Sequence, residues 1–261
     1  MEVLKMTRID VEAVASAGAA KLEYSRSQPA RYLSRAAMAG AFIMVGSIIS
    51  TLSAAWFYSE QPGVAKLLGA ATFSVALILI VLLGGELFTG TNFVMGVSLY
   101  ENKVTLLGAI RIWVFAYIGN FIGIFLLALF IVGSGASRDL FAAYLAIVVP
   151  GKLAGTWYAL LLKGIMCNFL VCMGVYAGAK LKSESGKCIA ILAVITTFVL
   201  AGFEHSVANM ATFSLYALLV PSPNLGGIAW NMLWVTIGNL IGGAVLLGLP
   251  VWMSAEPNNN S

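Results

Sequence analysis

Six apolar stretches dominate this chain, at about residues 36 to 58, 64 to 100, 104 to 133, 153 to 179, 188 to 220 and 227 to 252. Each is long enough to cross roughly 30 Å of hydrocarbon. In lipid such segments satisfy their own backbone groups as helices, so the expected fold is an all-α integral membrane protein with six spans. Composition closes off the alternatives. Only 10% of the 261 residues are charged and 60% are hydrophobic, against about 25% charged in a soluble domain. A typical soluble enzyme, a disordered chain, a collagenous one and a disulfide-stapled secreted module are excluded. The net charge of +4 forms no basic stripe interleaved with aromatics, so the expected partner is the lipid bilayer and not nucleic acid.

Two stretches are too long. At 1.5 Å per residue, 64 to 100 would reach about 55 Å and 188 to 220 about 50 Å as continuous helices. Both must break, and the residues that break them are visible: Gly84-Gly85-Glu86-Leu87-Phe88-Thr89-Gly90-Thr91-Asn92 and Gly202-Phe203-Glu204-His205-Ser206-Val207-Ala208-Asn209. The breaks correspond. Gly84-x-Glu86 and Gly202-x-Glu204 are offset by 118 residues, and Gly119-Asn120 and Gly238-Asn239 by 119. The chain is therefore a duplication, with repeats at about 34 to 133 and 153 to 252. Three spans per half is an odd number, so the second half enters the membrane inverted. Broken helices 2 and 5 then meet near mid-membrane, where inverted-repeat transporters place a binding or permeation site.

Orientation follows from the cations. With both termini cytoplasmic, Lys5, Arg8, Lys21, Arg26, Arg31, Arg35, Lys103, Arg111, Lys180, Lys182 and Lys187 lie inside, and Lys66, Arg138 and Lys152 outside. Residues 1 to 33 form a cytoplasmic segment without an apolar core, so the first span is expected to serve as the insertion signal. Within that segment, 9 to 24 reads as an amphipathic helix at the membrane surface, with Val11, Val14 and Ala15 on one face and Lys21 and Arg26 toward headgroups. Residues 253 to 261 read as a disordered polar tail. Cys167, Cys172 and Cys188 read as apolar packing residues. No metal cluster or cofactor motif is present in the sequence.

Four ionisable residues fall within the spans: Glu86, Lys163, Glu204 and His205. Each needs a partner or a wet cavity, because a charge at a helix centre costs on the order of 2.5 to 3.5 kcal/mol on insertion scales. Lys163 is expected to neutralise Glu204 or Glu86 and pin the broken helices, the three forming a buried charged scaffold. His205 is the chain's single histidine and has Leu87 as its counterpart in the first half. Its unperturbed pKa near 6.5 suits it to give a hydrogen bond or a proton. Thr89, Thr91, Asn92, Ser206 and Asn209 are expected to cap the two half-helices. The half-helix N-termini carry partial positive charge and favour an anion. Leu82, Leu83, Leu87, Phe88, Phe198 and Phe203 surround the breaks, so the path is expected to be narrow and the permeant small and singly charged.

At these residues the sequence resembles the formate/nitrite transporter family. The matching pieces are Glu86-Leu87-Phe88-Thr89, Lys163 through Cys172, Gly202 through Met210, and Gly238-Asn239. The resemblance implies an aquaporin-like protomer with its own pore, a homopentamer, and passage of small monovalent anions: hydrosulfide first, formate or nitrite next, in a bacterial-type inner membrane. It implies Thr89 and His205 as the central hydrogen-bonding pair with Asn168 and Asn209 nearby. Leu87 and Phe88 would form a constriction, joined by Phe73, Leu77 and Phe198. Lys152 would attract anions in the outer vestibule, and the N-terminal helix would gate the cytoplasmic mouth. Proton linkage through His205 is a further expectation. A water or glycerol channel of similar topology would carry two Asn-Pro-Ala motifs, which the sequence lacks. A hydrolase using Ser206 beside His205 would need a nucleophile elbow that is also missing.

Overall fold

A computed structural model describes residues 8–255. All of the regular structure among them is helical. After α1 (Arg8–Ser27), the first half contains α2 (Pro29–Ala55), α3 (Pro62–Phe73), α4 (Val75–Leu83), α5 (Phe88–Tyr100) and α6 (Leu106–Ser134). The second half contains α7 (Arg138–Leu153), α8 (Trp157–Lys180), α9 (Glu184–Ala201), α10 (Ser206–Leu219) and α11 (Leu225–Ile241), which continues through a π-helical turn at Gly242–Leu247 into α12 (Gly248–Met253). Six of these segments are long and apolar enough to cross a membrane. The chain is a multi-pass membrane protein built from two inverted three-helix repeats.

Both breaks fall where the sequence places them, and each is made by a glycine. Gly84 closes α4 and Gly202 closes α9 in the left-handed conformation, at φ 74° and 77°. A side chain disfavours that conformation, whereas glycine adopts it freely and ends a helix there. The chain then turns inward and starts a second, shorter helix of 13 residues in α5 and 14 in α10.

Glycines also set the spacing between spans. A Cβ on Gly123 would lie 1.8 Å from the Ala37 carbonyl oxygen, and one on Gly242 2.2 Å from that of Ile165. The backbones of α6 and α2, and of the last span and α8, therefore touch at matched positions, because Gly119-x-x-x-Gly123 and Gly238-x-x-x-Gly242 present the same small-residue face. The outward face of α6 is apolar, exposing Leu107, Val114, Ile118, Phe121 and Phe130.

Three sequence expectations change. The first span begins at Pro29, whose fixed φ suits a first helical turn, and not at residue 34. An unanticipated helix, α7, precedes α8 as α1 precedes α2, so each repeat contains a leading helix. Finally, α1 does not lie free on a bilayer surface. Its Val11, Val14 and Ala15 pack with Phe93, Val94 and Val97 of α5, and its Arg8 pairs with Glu101. The expected tail lies outside the described residues apart from Met253, Ser254 and Ala255.

Candidate functional site: two matched cavities and the pair between them

The half-helices start deep in the protein, where no water is at hand for their orphan N–H groups. The caps are not the residues the sequence suggests. Thr89, Thr91 and Asn92 lie inside α5, and Ser206 and Asn209 inside α10. The Asn120 side chain of α6 accepts the Phe88 N–H at 2.9 Å and donates to the carbonyls of Ala36 and Glu86, at 2.8 and 2.9 Å. Asn239 does the same in the second half: it accepts the Ser206 N–H at 2.8 Å and donates to Gly164 and Glu204, at 2.8 and 2.9 Å. Both asparagines are fully buried. The Gly-Asn pairs legible as a repeat marker are thus the two fastenings that hold the breaks.

Each break borders a cavity. The cavity on the α1 side has a volume of about 340 Å³ and the one on the α7 side about 420 Å³. From α4 and α5 the first is lined by Ile80, Val81, Gly84, Gly85, Glu86, Leu87, Gly90, Thr91 and Val94. Adding 118 to each number gives Phe198, Val199, Gly202, Phe203, Glu204, His205, Ala208, Asn209 and Thr212, and all of these line the second. The cavities are symmetry mates. Leu82 and Leu83 face outward, at 42% and 63% exposure, and border neither.

The buried charges obey the same symmetry, and here the expected pairing is overturned. Lys163 does not neutralise either glutamate: it is exposed in the α7 cavity and ion-paired to neither. Glu86 is held instead by Lys21 of α1, with Nζ at 2.6 and 2.5 Å from its two oxygens, and Tyr32 donates at 3.4 Å. Glu204 is held by Lys152 of α7 at 2.7 Å, and by the Asn209 amide at 2.7 Å. Lys152 also donates to Asn209 Oδ1 at 3.1 Å, and Asn209 donates to Asn231, at 2.9 Å. The helix in front of each repeat therefore supplies the cation for that repeat's break.

Between the cavities stands the pair expected at the centre. Thr89 Oγ1 lies 2.9 Å from His205 Nε2, and both residues are buried. His205 Nδ1 accepts the Ala208 N–H at 2.9 Å and so caps α10. An accepting Nδ1 carries no proton, so in the neutral ring Nε2 does, and it donates to Thr89. The threonine hydroxyl keeps its own proton free to donate. Asn168 and Cys172 of α8 hold the Thr89 carbonyl, at 3.1 and 3.3 Å. Phe73 and Phe198 meet edge to face at 6.2 Å, and Phe198 stacks on His205 at 6.0 Å. Both phenylalanines line the α7 cavity and Leu87 lines the other. Phe88 packs edge to face on Tyr117 at 5.0 Å, and Leu77 is buried in the core. Neither borders a cavity.

An inverted repeat with two opposed polar cavities, closed off from each other by aromatic and aliphatic side chains around one hydrogen-bonded pair, is the architecture of a membrane channel or transporter for small solutes. Comparison with known proteins narrows that class. The formate/nitrite transporter family model matches residues 9–253, and the chain belongs to this family. The nitrite transporter NirC of Escherichia coli (strain K12) is 32% identical over 249 residues, covering 94% of this chain and 91% of NirC. A solved FNT family ion channel superposes with a TM-score of 0.87 at 29% identity, covering 95% of this chain and 99% of that one. A solved pentameric formate channel with formate bound gives a TM-score of 0.75 at 26% identity, covering 88% and 98%. The chain is a transport protein for small anions and not an enzyme.

Of the residues that bear on the site, Lys21, Arg35, Asn120, Asn231 and Asn239 were not singled out as site residues from sequence. Only Asn120 and Asn239 carried a signal, their matched positions in the repeat.

Proposed function

We propose that this chain assembles as a homopentamer in a bacterial-type inner membrane, both termini cytoplasmic, and that each protomer passes hydrosulfide, formate and nitrite through its own pore. The observation that carries the reading is the single axis on which two symmetry-related cationic cavities meet at Thr89 and His205. The positive-inside pattern supports the orientation, and it makes the α1 cavity cytoplasmic and the α7 cavity external. The apolar outer face of α6 suits lipid or a neighbouring protomer.

An anion is drawn in by the surplus positive charge of either mouth. It sheds water at the constriction formed by Leu87, Phe73 and Phe198, with Phe88 and Leu77 packed behind. There it meets the Thr89 hydroxyl, whose proton the bond from His205 leaves unspent. Asn168 keeps Thr89 in place and Asn209 keeps Lys152 against Glu204, while Glu86 and Glu204 anchor the breaks. Lys152 then acts within an ion pair and not as an isolated attractor. Gating by α1 would require Lys21 to leave Glu86.

Proton linkage through His205 has a structural cost. To deliver a proton the ring must first hold one on each nitrogen, and a proton on Nδ1 points at the Ala208 N–H and breaks the cap. Reconstituted liposomes with equal gradients of hydrosulfide, formate and nitrite, loaded with a pH reporter, test both parts. A hydrosulfide rate far below the other two removes hydrosulfide from first place. His205→Phe with an unchanged pH dependence rules out the relay.

A further inference from the structure

We propose that Arg35 selects the anions that enter from the α1 cavity, holding planar two-oxygen monoanions such as formate or nitrite in its guanidinium fork. Lys163, its counterpart, captures anions at the opposite mouth without regard to their shape. The inference rests on the pore reading above and adds a selectivity that differs between the two faces.

The two residues are matched by backbone geometry. The Glu86 N–H donates to the Arg35 carbonyl and the Glu204 N–H to the Lys163 carbonyl, both at 3.3 Å. Each side chain is exposed, and each lines the cavity next to the break its carbonyl supports. In both cavities the cation at the break is already engaged, since Lys21 binds Glu86 and Lys152 binds Glu204. The ionisable lining of the α1 cavity is Lys21, Arg35 and Glu86, so its one uncompensated charge belongs to Arg35. The α7 cavity is lined by Lys66, Lys152, Lys163 and Glu204, leaving two charges, both on lysines.

Arginine and lysine bind anions differently. A guanidinium presents parallel N–H donors that match two oxygens of one planar group, whereas an ammonium is a compact charge with no preferred outline. The Arg35 guanidinium lies over the Tyr24 ring, 5.1 Å from its centre. That cation–π contact helps to fix where the guanidinium sits. Hydrosulfide, with one heavy atom, can bridge the two donors but cannot set a separate acceptor in line with each, so it gains less from the fork. The α1 mouth therefore prefers formate and nitrite over hydrosulfide, and the α7 mouth does not.

The test is zero-trans flux in right-side-out and inverted vesicles, with wild type, Arg35→Lys, Arg35→Gln and Lys163→Arg. For flux starting at the α1 face, Arg35→Lys is expected to raise the half-saturating formate concentration about tenfold, the loss of one charge-assisted bond. The hydrosulfide value should stay within about twofold, as for an interaction that gains less from the fork. Arg35→Gln should weaken both anions from that face, and neither variant should alter half-saturation from the α7 face. Lys163→Arg should create the formate preference there. Equal losses for formate and hydrosulfide in Arg35→Lys, or losses at both faces, overturn the proposal. A wild type that conducts none of these anions overturns the pore reading instead. If the variants do not assemble, wild-type protein is treated with phenylglyoxal, which modifies arginine, in the presence of formate or chloride. Slower modification of Arg35 with formate than with chloride supports the fork, and equal rates refute it.

Discussion

Asn239→Leu removes one fully buried amide of similar size, and the structure says what that costs. The amide accepts from Ser206 N–H and donates to the carbonyls of Gly164 and Glu204. Leucine leaves the Ser206 N–H and the Glu204 carbonyl without a partner, at a depth where water cannot replace it, while the Gly164 carbonyl keeps its bond within α8. Side-chain hydrogen bonds between membrane helices average about 0.6 kcal/mol and reach about 1.7, while orphaning a buried group costs about 1 to 3 kcal/mol. Taking about 1 kcal/mol for each of the two orphaned groups gives an expected loss of about 2 kcal/mol, with the bond to Gly164 adding at most about 0.6 kcal/mol. The Ser206 turn then loses its anchor, so His205, one residue earlier, no longer meets Thr89 and flux should fall. Asn120→Leu makes the symmetry argument testable, because it removes the same three kinds of bond around Phe88. Detergent-solubilised protein titrated with a denaturing detergent should show the two variants destabilised to within about 1 kcal/mol of each other. If Asn239→Leu unfolds like wild type and conducts normally, the asparagines do not hold the breaks and the account of the site fails.

Thr89→Val keeps the shape and removes the hydroxyl, so liposome flux should drop at least about tenfold, while stability changes by only about 1 kcal/mol. A double-mutant cycle on Lys21→Gln and Glu86→Gln should give a coupling of about 1 to 3 kcal/mol, and the matched cycle on Lys152 and Glu204 a similar one. Gly123→Ala should abolish the assembled protein in size-exclusion chromatography, because its Cβ would sit 1.8 Å from a backbone oxygen. Gly84→Ala, with nothing within 4 Å of its Cβ, should assemble and conduct, and lose about 1 kcal/mol to its positive φ.

The spans and breaks were legible because lipid enforces them: a segment too long to cross must interrupt itself, and glycine beside glutamate is what an interruption needs. The duplication was legible because both halves kept the same interrupting residues. What stayed hidden depended on distance along the chain. Lys163 is the lysine within an apolar span, so it looked like the partner of the buried glutamates. The actual partners, Lys21 and Lys152, lie 65 and 52 residues from Glu86 and Glu204 and sit on helices outside the six segments long and apolar enough to span. One of those helices, α7, was missed altogether because it is apolar but only 16 residues long and contains Pro150. Asn120 and Asn239 were visible, yet their role depends on accepting N–H groups 32 and 33 residues away.

One place where the halves disagree explains how the central pair is formed. Subtracting 118 pairs His205 with Leu87 and Val207 with Thr89. Each half therefore has one polar residue where the other has an apolar one, and the positions are crossed. Two leucines and two valines would leave an apolar plug with no group to compensate an anion stripped of water. Two histidines and two threonines would make a pair of sites and a wetter centre. The crossed arrangement puts His205 opposite Thr89 at 2.9 Å, with Leu87 and Val207, both buried, beside them. Because His205 spends Nδ1 on its own helix and Nε2 on Thr89, the pair leaves one hydroxyl proton, that of Thr89, for a small anion.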